Sequence, residues 1–125
     1  MFRKVRIMTT EECYLRMGAD YGEVLRRLGT EERIKRFLMK FPDDDCYADL
    51  RRFLAEQKAE EAFRAAHSLK GICMNLGLLS LYRSVNTLTE ALRGGKISPE
   101  TAAMADQVQK DYDTVISNIR ELATL

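Results

Sequence analysis

Between Pro42 and Pro99 the chain runs 56 residues without a proline. Nothing in that stretch forbids continuous helix, because proline is the residue that both removes a backbone donor and clashes with the preceding turn. Leu, Ala and Met total 33 residues, against 19 for Val, Ile and Thr. The first group favours helix and the second favours strand. An all-α chain is therefore expected. At 125 residues it is long enough for one domain with its own core.

Helix starts and stops divide the chain. Thr9 and Glu12 have capping-box spacing, and Gly18 ends the short helix they open. Asp20 and Glu23 repeat the signal, with Gly29 as the stop. Thr30 caps a helix with Ile34, Phe37, Leu38 and Phe41 on one face, and Pro42 stops it. The carboxylates Asp43, Asp44 and Asp45 then suit the positive end of the next helix dipole. That helix carries Tyr47, Leu50, Phe53 and Leu54 and should reach about Gln57. A longer one is expected from Ala59 to Leu76, striped by Ala59, Ala62, Phe63, Ala66, Leu69, Cys73 and Leu76, with Gly77 as its stop. Another begins at Leu78, buries Leu81, Tyr82, Val85, Leu88 and Leu92, and ends at Gly94 and Gly95. Ser98 caps the last helix, with Pro99 at its first position and Met104, Val108, Tyr112, Val115, Ile119 and Leu122 inward.

Short connections between long amphipathic helices make neighbours antiparallel. The expected architecture is an antiparallel four-helix bundle with additional short N-terminal helices. Residues 1–8 read as a basic arm carrying Arg3, Lys4 and Arg6, and 9–125 as a single helical domain.

Charge narrows the function. Twenty Lys and Arg against 19 Asp and Glu leave a formal net charge of +1. This balance argues against coating nucleic acid or an anionic membrane. No apolar run approaches the ~20 residues of a membrane span, and no apolar signal core follows the basic start. A cytoplasmic monomer is the expectation. The cysteines Cys13, Cys46 and Cys73 are odd in number and form no C-x-x-C pair. They read as free thiols of a reducing compartment. No metal site is expected in this chain.

His67 is the single histidine. At 100° per residue it lies roughly 120° from a stripe centred near Ala66 and Cys73, off the core. Glu60, Arg64, Gly71 and Met74 share its side, and Lys70 sits between it and the stripe. Gly71 is unusual there, since a mid-helix glycine costs ~1 kcal/mol relative to alanine. On an exposed face it reads as a bare patch through which something approaches the imidazole. An accessible imidazole beside an ammonium suits a phosphoryl group, and histidine is a competent nucleophile near neutral pH. The bland alternative is an idle surface histidine.

The segment Ala66-His67-Ser68-Leu69-Lys70-Gly71-Ile72-Cys73-Met74-Asn75-Leu76-Gly77 resembles the histidine-containing phosphotransfer (HPt) domain of multistep two-component signalling. The family pattern is His, any residue, Leu, Lys, Gly, then a Gly six residues on; His67, Leu69, Lys70, Gly71 and Gly77 match it. Cys73 and Met74 stand where small residues are common. The resemblance extends from roughly Asp20 to Leu122. It implies that His67 accepts a phosphoryl group from one receiver-domain aspartate and passes it to another. It implies that Lys70 neutralises phosphate charge, that Gly71 admits the receiver, and that Leu69 and Gly77 anchor and end the helix. Arg64, Gly71, Met74 and Asn75 would face the partner, with Asn75 in a supporting role. The partners implied are response-regulator receivers, which supply the divalent metal, and a hybrid sensor histidine kinase.

No ATP-binding loop accompanies the motif, so an ATP-dependent kinase is not expected. The dimerisation domain of a histidine kinase would resemble His-Glu-Leu-Arg-Thr-Pro around its histidine, which this chain lacks. The alternatives left open are an HPt-like adaptor that binds receivers or a partner helix without transfer, and a metal or cysteine enzyme. The second needs clustered ligands or a second base that the sequence does not display.

Overall fold

The computed structural model describes residues 8–124. Among these residues seven α-helices follow one another: α1 (Thr10–Arg16), α2 (Tyr21–Leu28), α3 (Glu31–Lys40), α4 (Cys46–Ala55), α5 (Ala59–Asn75), α6 (Leu79–Leu92) and α7 (Pro99–Ala123). A short 3-10 turn, Phe41–Asp43, carries Pro42 between α3 and α4. The described residues contain no strand.

The caps explain most of the boundaries. Thr9, Asp20 and Thr30 accept backbone N–H bonds from Glu12, Glu23 and Arg33, each satisfying a donor the helix start leaves open. Ser98 does the same for Thr101, whose hydroxyl accepts the Ser98 backbone N–H in return, so α7 opens on a complete capping box. Asp44 accepts from the Cys46 backbone at 2.8 Å ahead of α4. Two ends differ from expectation. Helix α4 stops at Ala55 because Gln57 turns into the left-handed region at φ 58°, and α6 begins one residue after Leu78, which serves as its N-cap.

Helices α4 to α7 form the bundle. α5 packs between α4 and α6, and α6 packs on α7. The remaining side closes through aromatic contacts: Tyr47 of α4 stacks on Tyr112 of α7 at 3.8 Å between centroids, with Phe41 5.8 Å from the same ring. Leu50, Leu69, Leu81, Leu88, Leu92 and Ile119 are fully buried between the helices. Truncating one such leucine to alanine typically removes about 2–5 kcal/mol.

The N-terminal helices brace one end. Cys13, Tyr14 and Met17 of α1 are buried, and Arg16 pairs with Glu121 of α7 at 3.0 Å. The Asp20 backbone N–H donates to the Gly77 carbonyl at 2.9 Å. Arg27 of α2 donates to the carbonyls of Met74 and Asn75 at 2.7 and 3.0 Å, satisfying acceptors that the end of α5 leaves open.

Two expectations are corrected. Met8, assigned to the arm, is 4% exposed and belongs to the core, so the packed chain starts at least one residue earlier. Residues 1–7 of that arm, with its three basic groups, lie outside the described residues. Phe37 is not buried but 45% exposed. The buried set of α3 and the turn after it, Ile34, Leu38 and Phe41, centres roughly 65° around the helix from Phe37. The Phe37 ring lies at the edge of that stripe, with the Lys40 ammonium 5.8 Å from its centroid.

Gly77 ends α5 at φ 66°, a conformation that disfavours any side chain. A Cβ there would also collide with Val24 of α2 and lie 3.0 Å from the Asp20 carbonyl oxygen. Gly77→Ala is therefore expected to lose about 2–4 kcal/mol. Thermal melting should show a midpoint roughly 10 °C lower. An unchanged midpoint would show that α2 shifts without loss.

Candidate functional site

Helix α5 carries the site: it packs against α4 on one flank and α6 on the other, and its outer face is open. Its buried positions are Ala62, Ala65, Ala66, Leu69 and Cys73, continued by its C-cap Leu76. Their mean direction lies roughly 150° from His67 at 100° per residue. The imidazole thus points more directly outward than the sequence stripe implied. Ala65 joins the buried set, while Ala59 and Phe63 are only partly covered, and this moves the centre of the stripe.

His67 is exposed. Its ring lies near-parallel to Phe63, one turn earlier, at 6.1 Å between centroids and 24° between planes. The Arg93 guanidinium of α6 sits over Phe63 at 5.1 Å. Lys70, one turn beyond His67, is half-buried, and its ammonium donates to the Asn86 amide oxygen of α6 at 3.4 Å. Beyond its chain neighbours and the backbone of its own helix, Gly71 has no heavy atom within 4 Å of where a Cβ would stand, so the surface beside His67 is bare. Met74 follows on the same outward line, 49% exposed.

The other expected partner-facing residues fall on this outer face or beside it. Arg64 is exposed and pairs with Glu60 at 2.6 Å, one turn back on its own helix. Asn75 is exposed but turned toward α3, where it lines an open groove with Ile72, Leu76, Phe37 and Phe41. His67, Lys70, Gly71 and Met74 thus form one continuous surface, Arg64 borders it, and Asn75 stands at its edge.

Electrostatics around the face are uneven. Two hydrogen bonds from Arg93, both 3.0 Å, engage the two carboxylate oxygens of Glu90. They hold its carboxyl below the usual range, and the charges of Arg93 and Lys70 add to the effect. Burial pushes the Cys13 thiol up to about 11 and those of Cys46 and Cys73 up to about 12. Thiols held that high are not nucleophiles at neutral pH, which counts against a cysteine enzyme. Among the described residues no three His, Cys, Asp or Glu side chains converge as metal ligands. No helix among them is long and apolar enough to cross a membrane.

Sequence reasoning missed Phe63, Asn86 and Arg93 as neighbours of the histidine. Phe63 read as core. Asn86 and Arg93 lie on α6, and which of its residues meets which turn of α5 depends on the packing register, not on spacing within either helix.

What this arrangement offers is an accessible nucleophilic ring, a cation one turn away and an unobstructed approach. No curated protein and no solved structure matches the chain significantly. The family comparison does: residues 43–120 match the Hpt domain. That span takes in the whole of α4, α5 and α6 and most of α7, leaving α1 to α3 outside it. It is narrower than the Asp20 to Leu122 expected from sequence, yet it covers the complete α5 face and well over half of the chain. The four bundle helices and the histidine-bearing segment between Ala66 and Gly77 therefore place this chain in the Hpt domain family.

Proposed function

We propose that the protein relays a phosphoryl group between receiver-domain aspartates through a phosphohistidine at His67, acting as a cytoplasmic monomer. The observation that carries this reading is the outer face of α5: an exposed imidazole followed one turn later by a bare glycine. In an Hpt domain, that combination suits the close approach of a second protein.

The chemistry balances simply. The lone pair of the outer ring nitrogen attacks phosphorus, and the bond from phosphorus to the aspartyl oxygen breaks. The carboxylate leaves with the electron pair. The ring stays protonated on its other nitrogen until that proton passes to solvent. The reverse sequence delivers the group to the next aspartate. The receiver brings the divalent metal, so this chain contributes the nucleophile, charge and position. Positioning of the reacting groups supplies most of the acceleration in such a transfer. Lys70 supplies positive charge to the phosphoryl oxygens. Arg64, Gly71 and Met74 meet the receiver, and Asn75 borders the contact. A hybrid sensor histidine kinase fits as the source of the first phosphorylated receiver.

The test is a transfer screen. Receivers from the source organism, phosphorylated with labelled phosphate, are mixed with the protein, and the label is followed onto the chain. A label stable to base and lost in acid is expected, as a phosphorus–nitrogen bond requires. Receiver binding without any transferred label would favour the adaptor reading instead.

Lys70→Ala should slow transfer roughly tenfold, below the hundred- to thousandfold loss of a fully enclosed charge-stabilising donor because this ammonium is partly solvated. Its apolar stem lies at the rim of the core, so the melting midpoint should fall by only a few degrees. An unchanged transfer rate would reduce Lys70 to a packing residue.

A further inference from the structure

Three cations surround the His67 face, and their partners differ. Arg64 pairs with Glu60, and Arg93 pairs with Glu90, each with a carboxylate on its own helix. Lys70 forms no ion pair among the described residues. Its ammonium meets a neutral acceptor, the Asn86 amide oxygen at 3.4 Å, and both side chains are half-buried at the α5–α6 seam.

We propose that Asn86 is a positioning residue for Lys70, holding the ammonium beside the His67 face without cancelling its charge. The proposal rests on the phosphotransfer reading of His67. A carboxylate at the same place would orient the ammonium more strongly, but it would also neutralise it before a phosphoryl group arrived. An amide orients through its dipole and leaves the full positive charge in place. An alternative carboxylate does exist one turn further along α6, at Glu90. Arg93 occupies both of its oxygens from one turn beyond, at 3.0 Å each. Glu90 is thus already paired with Arg93; its charge is felt at Lys70, but the two form no ion pair. Asn86 lies on a helix that sequence spacing does not connect to the histidine, and only the packing of α6 against α5 brings it there.

The test uses phosphoramidate, a small phosphoryl donor with no docking surface. Its phosphorus–nitrogen bond breaks as the His67 ring nitrogen bonds to phosphorus. Ammonia leaves with the electron pair and takes up the proton. Labelling rates are compared for the wild type, Asn86→Asp, Asn86→Leu, Lys70→Ala and the Lys70→Ala, Asn86→Asp double variant, each checked to be folded at the assay temperature by a cooperative thermal melt. Asn86→Asp is nearly isosteric, so it stands even if Asn86→Leu fails to fold. Asn86→Asp should label about tenfold more slowly and Asn86→Leu about threefold more slowly. In the Lys70→Ala background Asn86→Asp should have no further effect, because the group it acts through is gone. A purely structural Asn86 would give the Asp variant the wild-type rate, and that result would overturn the proposal. So would an Asn86→Asp effect that persists in full without Lys70. A labelled wild type with insensitive Asn86 variants removes this inference alone. A wild type that never becomes labelled brings down the His67 reading and this inference with it.

Discussion

His67→Gln is expected to abolish every trace of acid-labile, base-stable label while leaving the fold unchanged. The chain has one histidine, so no second imidazole can substitute. The ring is exposed on the outer face of α5, roughly 150° from the centre of its buried stripe. It forms no hydrogen bond with another described side chain. Its nearest ring contact is the looser pairing with Phe63 at 6.1 Å. Glutamine has good helix propensity and occupies similar volume. Stability should therefore change by less than about 0.5 kcal/mol, as for other exposed substitutions. The activity loss is complete because glutamine offers no nucleophilic ring nitrogen. Two measurements on one sample settle it: helical circular dichroism through a melt, and retention of label after base treatment. Label that persists in this variant would place the acceptor elsewhere and sink the relay reading. The carboxylates would be the next candidates, and their acyl phosphates would be distinguished by loss in base.

What could be read from sequence follows a physical boundary. Caps are local, so Thr9, Asp20, Thr30 and Ser98 were legible as helix starts, and each accepts the expected backbone bond. The α5, α6 and α7 stripes were legible because each helix buries a face at its own period. The placement of His67 outside the core followed from the same arithmetic. Phe37 misled because a stripe has edges. Three of four apolar positions fill the interface, and the fourth overhangs it. Met8 misled because burial at a chain end depends on what α1 packs against, and no short-range signal carries that. Phe63, Asn86 and Arg93 lay beyond sequence reasoning for a related cause. They meet the His67 face only through the packing of α6 on α5 or through the exact edge of the α5 stripe. The family match stops short of α1 to α3. One of them, α2, nonetheless touches the end of the site helix, through Arg27 on the Met74 and Asn75 carbonyls and through Val24 against Gly77.

The two glycines of this segment separate function from fold, and Gly71→Gln is the sharper case. Gly77 must be glycine for the chain to pass beneath α2. Gly71 meets no such demand. It sits in the regular part of α5 with open space where its Cβ would be. A Cβ added there meets no neighbouring helix or side chain, and the substitution replaces the poorest helix former after proline. Gly71→Gln should therefore raise stability by several tenths of a kcal/mol, or leave it unchanged. Function should move the other way. Gly71 stands one turn beyond His67, about 6 Å along the axis, on the same outward side. A glutamine there projects into the space a receiver must enter to bring its aspartate against the imidazole. Displacing reacting groups by about 1 Å can cost a hundredfold in rate, so transfer should fall by about two orders of magnitude. Receiver binding should weaken alongside it. Labelling of His67 by phosphoramidate, which needs little space, should be far less affected. The measurements are a thermal melt, a receiver transfer rate and a phosphoramidate rate on the same preparation. A less stable protein with normal transfer per folded molecule would assign Gly71 to packing. It would also remove the open approach on which the reading of the α5 face depends.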